Sequence, residues 1–158
     1  WPMTAAGWDP ARAAAMCDVN LTGAVRVLGE VVPAMAAAGR GHVVLTGSLA
    51  GFRGLPGSIG YGASKAGVMA LAESLHADLR GSGVEVQLVN PGFIRTRLTA
   101  RNDFSMPFIM SPDEAAQRMF EHMCTSRFKT SFPGPFAALF RGGQFLPDAI
   151  WYRLFPRR

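Results

Sequence analysis

The chain has 158 residues, 49% of them hydrophobic and 17% charged, which is enough apolar material for one globular domain and excludes a disordered tail. Its net charge of +5 comes largely from Lys and Arg scattered singly, so a solvated basic surface fits and a nucleic-acid partner is not expected. Two cysteines, Cys17 and Cys124, make no disulfide framework, and a reducing cytoplasm is the expected location.

In chain order, Asp9-Pro10 reads as an N-cap and first helical residue, opening a short helix through "ARAAAM". From Asn20 the apolar positions Leu21, Ala24, Val25, Leu28, Val31, Val32 and Met35 follow helical spacing, with Pro33 predicting a kink and Gly39 a stop. "HVVLTGS" is a continuous aliphatic run, as expected of a strand buried on both faces of a parallel sheet. After a glycine-rich loop, Val68, Leu71, Ala72, Leu75 and Leu79 mark a second amphipathic helix that ends near "GSG". "VEVQLVN" is the next strand, closed by Pro91-Gly92. A loop rich in Phe, Met and Arg runs to Met110, and the capping box Ser111-Pro112-Asp113-Glu114 starts a helix to about Met123. "RFKTSF" is one more short strand before Pro133. Strands alternating with helices predict an α/β fold with a parallel sheet.

Candidate chemistry centres on "YGASK", where Tyr61 and Lys65 stand at i and i+4 of the second helix. Such residues share a helix face, so the Lys65 ammonium is placed to stabilise the Tyr61 phenolate. Taken alone, the pair reads equally as an exposed helix-supporting contact. In open parallel sheets, ligands bind beyond the carboxyl ends of the strands, which directs attention to Ser48 after the first strand and to Asn90, Pro91 and Gly92 at the end of the second. The loop "LAGFRGLPGSIG" is long enough to fold back and bring Ser48 toward Tyr61, although a serine beside glycine also commonly satisfies its own turn.

Taken together, Asn20 in "VNLTG", Ser48 in "TGSLAG", Tyr61 and Lys65 in "YGASKAG", and "NPGFIRT" from Asn90 to Thr96 resemble the C-terminal part of a short-chain dehydrogenase/reductase. The similarity covers roughly Trp8 to Leu98. It implies a Rossmann-like doubly wound parallel sheet, N-terminally truncated to about three strands with flanking helices. The implied activity is NAD- or NADP-dependent hydride transfer between a secondary alcohol and a ketone or aldehyde. Tyr61 would be the general acid or base, Lys65 would assist it and hydrogen-bond the nicotinamide ribose, and Ser48 would donate to the substrate oxygen. By the same resemblance, Asn20 would hold a water linking Lys65 to solvent; as a bare sequence feature it reads equally as a helix-start cap. Pro91 and Gly92 would let the backbone pass close to the nicotinamide, with Ile94 and Thr96 near its carboxamide, the plain alternative being a strand-ending turn.

The family's glycine-rich phosphate-binding half has no counterpart here. "TGSLAGFRG" follows a strand but opens no helix for a pyrophosphate, so it is read as the loop around Ser48 and not as a dinucleotide fingerprint. With Trp1 as first residue, the sequence reads as beginning partway through a longer protein, inactive without the missing half, and the choice between NAD and NADP is not encoded in it. Residues 1–135 are expected to be the catalytic part of the domain and 136–158 a hydrophobic and basic C-terminal extension that packs on it, lids the pocket or meets another subunit; peripheral membrane contact through it is the less favoured reading. The apolar stretches are interrupted by Gly, Pro or charge short of membrane-spanning length. His42, His76 and His122 are scattered, and no metal site is expected. Phe93 and the loop "RNDFSMPFIM" suggest a small hydrophobic carbonyl or alcohol substrate, and the two long helices resemble those that pair in the family's homodimers and homotetramers. The alternative class is a non-catalytic remnant of the fold serving as a binding or oligomerisation module.

Overall fold

The computed structural model describes residues 2–97, 99–101 and 104–156. Trp1, Leu98, Asn102, Asp103, Arg157 and Arg158, and with them part of the apolar loop and the final basic pair, lie outside the described residues.

Helix α1 spans Pro10–Cys17, and the Asp9 side chain accepts from the Arg12 backbone N–H at 3.0 Å, which satisfies one of the orphan donors of the first turn. The helix then passes through a π-turn, Asp18–Thr22, into α2, Gly23–Ala38. Pro33 lies within α2 without ending it, and Gly39 closes it at φ 64°, a left-handed conformation that costs glycine nothing. The segments thus join into one continuous helix, Pro10–Ala38, which by length and composition alone is long and apolar enough to cross a membrane. The expected interruptions are present in the sequence but do not end the helix: Gly29, Glu30 and Pro33 all lie within α2, and the π-turn joins it to α1.

Three parallel strands, β1 (Gly41–Thr46), β2 (Val84–Pro91) and β3 (Lys129–Phe132), pair in the order β1-β2-β3, with Gly41 opposite Val84 and Leu88 opposite Lys129. Helix α3 (Ile59–Asp78) links the first two and α4 (Pro112–Met123) the last two. Ser111 Oγ accepts from the Glu114 N–H at 3.1 Å, so the capping serine does start α4. The neighbours Leu88 and Val89 are both fully buried. Leu88 packs with Leu28, Val68 and Ala72 of α2 and α3, whereas Val89 packs with Met110 and Ala115 on the α4 side. Adjacent strand residues face opposite ways, so β2 is covered on both faces although Glu85, Gln87 and Asn90 interrupt its apolar residues, and of these only Glu85 is exposed. Of the two buried polar residues in this strand, Gln87 and Asn90, Gln87 donates from Nε2 to the His122, Thr125 and Arg127 carbonyls at 3.1, 2.6 and 3.2 Å and meets His42 Nε2 through Oε1 at 2.9 Å. Those carbonyls at and after the end of α4 are satisfied by it, which fixes the turn into β3.

Beyond β3 the chain forms a helical hairpin, α5 (Gly134–Gly143) and α6 (Asp148–Leu154). Phe136, Ala137, Phe140 and Trp151 pack inward on Leu49, with Phe52 and Leu55 alongside. Phe145, Ile150 and Leu154 stay exposed.

Candidate active site

Because β1 and β2 are parallel neighbours, their carboxyl ends open on the same side of the sheet. Ser48 follows the end of β1 there, and Gly92 follows β2. Near the start of α3, Lys65 Nζ donates to the Thr46 carbonyl at 2.9 Å and lies 5.9 Å from the centre of the Tyr61 ring. The pair predicted by spacing therefore shares a face, and the ammonium is tied to the end of the strand that leads to Ser48. Burial lowers the Lys65 pKa below its ordinary value, since desolvation penalises the charged form.

The turn after Ser48 is a single 3₁₀ turn, Leu49–Gly51, whose Ala50 N–H donates to Ser48 Oγ at 3.1 Å. The serine acts here as an acceptor, so its own O–H stays available to a ligand oxygen. A Cβ on Gly51 would stand 3.0 Å from the Ala66 backbone nitrogen; only glycine lets this turn lie directly on α3 beside Lys65. Among the described residues no hydrogen bond joins Ser48 to Tyr61 themselves.

Asn20 sits in the π-turn, and so is not the cap of a new helix. Its Nδ2 donates to Ser64 Oγ at 3.0 Å, and Ser64 Oγ donates to the Tyr61 carbonyl at 2.9 Å. Ser64 is fully buried. Sequence reading missed it, because within "YGASK" it looks like any small helix residue; only the third dimension shows that it ties Asn20 to the first turn of α3.

At the end of β2, Gly92 N–H donates to the Phe132 carbonyl at 2.8 Å, and a Cβ on Gly92 would lie 3.2 Å from Pro133 Cδ and 3.3 Å from Leu49 Cδ1. Pro91 is buried as the last residue of the strand. Both residues thus have a structural duty at the strand end. Ile94 forms a bridge with Met110. The Ile94 carbonyl accepts from Thr99 Oγ1 at 2.7 Å, and Thr99 Oγ1 in turn accepts from the Thr96 N–H at 2.8 Å, so Thr99, absent from the sequence-based candidates, closes this loop on itself. Asn90 is fully buried, and its side-chain oxygen and nitrogen have no hydrogen-bond partner among the described residues. A Cβ on Gly47 would fall 2.1 Å from that Asn90 oxygen, which is why glycine follows the first strand. Next to this strand end, the rings of Phe93, Phe104, Phe108 and Phe136 touch in series, with centroids 5.7 to 5.9 Å apart.

A half-buried ammonium beside a phenol at the carboxyl ends of parallel strands is a donor set suited to the ribose hydroxyls and nicotinamide end of a dinucleotide. Comparison with known proteins shows the family. The family model for short chain dehydrogenases matches residues 3–105. The chain belongs to the short-chain dehydrogenase family. An uncharacterized oxidoreductase of Myxococcus xanthus is 42% identical over 144 residues, covering 91% of this chain and 56% of that protein. A 3-oxoacyl-[acyl-carrier-protein] reductase of Thermotoga maritima is 38% identical over 94 residues, 60% of this chain and 36% of that one. The chain thus spans about half, or less, of the length of these relatives. Among solved short-chain dehydrogenases, that of Burkholderia cenocepacia in complex with NADP superposes with a TM-score of 0.84 at 23% identity, over 98% of this chain and 64% of its own. One from Sphingobium yanoikuyae in complex with NADPH gives 0.78 at 28% identity, over 88% and 56%.

Proposed function

We propose that this short-chain dehydrogenase chain is the catalytic part of an NAD- or NADP-dependent oxidoreductase that interconverts a secondary alcohol with a ketone, or a primary alcohol with an aldehyde, with Tyr61 as general acid and base. The observation that carries this reading is the convergence of Lys65, Tyr61 and the Ser48 turn at the carboxyl ends of β1 and β2, held by the Lys65 bond to Thr46 at 2.9 Å. The reduced nicotinamide, when bound, supplies a hydride to the carbonyl carbon. Tyr61 gives its phenolic proton to the developing alkoxide and takes it back in the reverse direction. Lys65, charged and partly desolvated, favours the phenolate left behind. Ser48 donates its free O–H to the same oxygen, and its orientation is set in advance by the Ala50 N–H, so no reorganisation is needed as charge grows. Asn20 holds α3 through Ser64 and, in this reading, would hold a water linking Lys65 to solvent. Tyr61 and Lys65 would hold the nicotinamide ribose, with Pro91, Gly92, Ile94 and Thr96 along the nicotinamide; the last two would first exchange their Thr99 contacts.

The aromatic series from Phe93 to Phe136 favours a small hydrophobic carbonyl or alcohol substrate. We read residues 1–135 as the catalytic part and 136–158 as an extension seated on it, in the cytoplasm, without a nucleic-acid partner. The inward packing of Phe136, Phe140 and Trp151 favours that role for the extension over peripheral membrane contact. Exposed Val19, Val25 and Val27 on the Pro10–Ala38 helix favour a homodimer or homotetramer, and would equally serve a non-catalytic oligomerisation module. The Tyr61→Phe variant separates the two. In a form of the protein carrying a cofactor-binding half upstream, it keeps the ring and removes the proton, and turnover should fall roughly a hundredfold or more. Near-normal turnover would remove Tyr61 from the mechanism. The chain by itself should show no measurable reduction.

A further inference from the structure

The loop that begins at Ser48 is gripped by the C-terminal hairpin through consecutive residues. Phe52 gives its carbonyl to Gln144 Nε2 at 3.2 Å, and Gly54 gives its carbonyl to the indole N–H of Trp151 at 2.9 Å. Between them, Arg53 donates from Nη1 to the carbonyls of Gly143 and of Leu146, the latter at 2.7 Å, and from Nη2 to the Asp148 carboxylate. Its guanidinium carbon also lies 5.2 Å from the centre of the Trp151 ring and 5.9 Å from that of Tyr152. The Arg53 side chain is 13% exposed, against 86% for Asp148, so the arginine is the enclosed partner. A planar fork of donors suits this place. It reaches the carbonyls at the end of α5, the first carboxylate of α6 and an aromatic face at once, which an ammonium on a flexible stem does not.

At the other end of the same loop, Leu49 is buried against Phe136, Phe140 and Trp151, and its side chain lies close to the Gly92 Cα at the end of β2. Ser48 is the residue immediately before it. We propose that Arg53 is a positioning residue: by locking the α5–α6 hairpin to the loop, it fixes the 3₁₀ turn that orients the Ser48 hydroxyl, so the C-terminal hairpin is part of the catalytic architecture. The catalytic consequence rests on the function proposed above; the mechanical coupling does not.

Hydrogen exchange tests the coupling without reference to activity. The amides of Ala50, Gly51 and Phe52 donate to Ser48 Oγ, the Ser48 carbonyl and the Leu49 carbonyl at 3.1, 3.1 and 3.2 Å, so their exchange reports the Ser48 turn directly. In Arg53→Met these three amides should exchange about tenfold faster or more, together with those of the hairpin, while Val86 and Leu88 in β2 keep their protection. Asp148→Asn, which alters a largely exposed carboxylate, should give a smaller change in the same amides, and Arg53→Lys an intermediate one. These two variants carry the test should Arg53→Met fail to fold. Opening of the hairpin with residues 50–52 unchanged within twofold would overturn the coupling. In an active form with a cofactor-binding half, Arg53→Met should lower kcat about tenfold with NADPH affinity unchanged, and Arg53→Lys should restore part of it. Faster exchange at residues 50–52 with kcat intact would overturn the positioning of Ser48. Faster exchange in a protein whose parent shows no reductase activity would leave the coupling standing and refute the proposed function instead.

Discussion

Replacing Ser64 with alanine removes one oxygen from a fully buried position and breaks the link from Asn20 to Tyr61 in two places. The hydroxyl accepts from Asn20 at 3.0 Å and donates to the Tyr61 carbonyl at 2.9 Å, and each such bond contributes a net ~1 kcal/mol. The penalty for stranded partners stays small: Asn20 is half-buried and its amide can recover water, and the Tyr61 carbonyl lies within a helix. Ser64→Ala should therefore cost about 2 kcal/mol, and at about 2–4 °C per kcal/mol for a chain of this size the melting temperature should fall by roughly 4–8 °C. Thermal unfolding by circular dichroism measures this. A double-mutant cycle with Asn20→Ala isolates the shared bond, with an expected coupling of about 1 kcal/mol. A Ser64→Ala melting temperature within about 1 °C of the parent, or strict additivity with Asn20→Ala, would show that the link contributes nothing to the site's stability.

Lys65→Met should change the pH dependence of turnover in an active form as well as its size, because the burial that lowers the Lys65 pKa makes its charge, and the support it gives Tyr61, fade at a lower pH than for an exposed lysine; an unchanged profile would leave Lys65 a structural residue only. His122 is buried and its Nε2 has no partner among the described residues, and burial is the main cause that pushes its pKa down. The folded state then holds the imidazole neutral while the unfolded state takes up a proton below about pH 6.5. This contribution to stability is complete above that pH and is lost as pH falls toward the folded-state value; His122→Leu should flatten urea midpoints measured between pH 7 and 5. Light scattering should find a dimer or tetramer, and Val25→Lys with Val27→Lys, both at exposed positions of α2, should shift it toward monomer; a parent that is monomeric at micromolar concentration would refute the oligomer.

Local patterns in the chain were enough for the elements whose signals are themselves local. The Asp9 and Ser111 caps and the shared face of Tyr61 and Lys65 each follow from a short stretch, because the helix period turns sequence spacing directly into direction in space. The order of residues in "VNLTG", "TGSLAG", "YGASKAG" and "NPGFIRT" was likewise enough to indicate the family. Everything that depends on segments far apart in the chain was decided only by the tertiary structure. Asn20 reads as a helix start until α1 and α2 are seen to join through a π-turn, and it acquires a role only because α3 brings Ser64 to within 3.0 Å of it. Arg53 reads as one more scattered surface charge, yet packing against a hairpin more than eighty residues away encloses it between two helix ends. Ile94 and Thr96 look free for a ligand until Thr99 closes on both. A hydroxyl or a guanidinium has no preferred period and is placed by whichever donors and acceptors the fold brings to it, so its partner is a property of the packed chain and not of its neighbours in sequence.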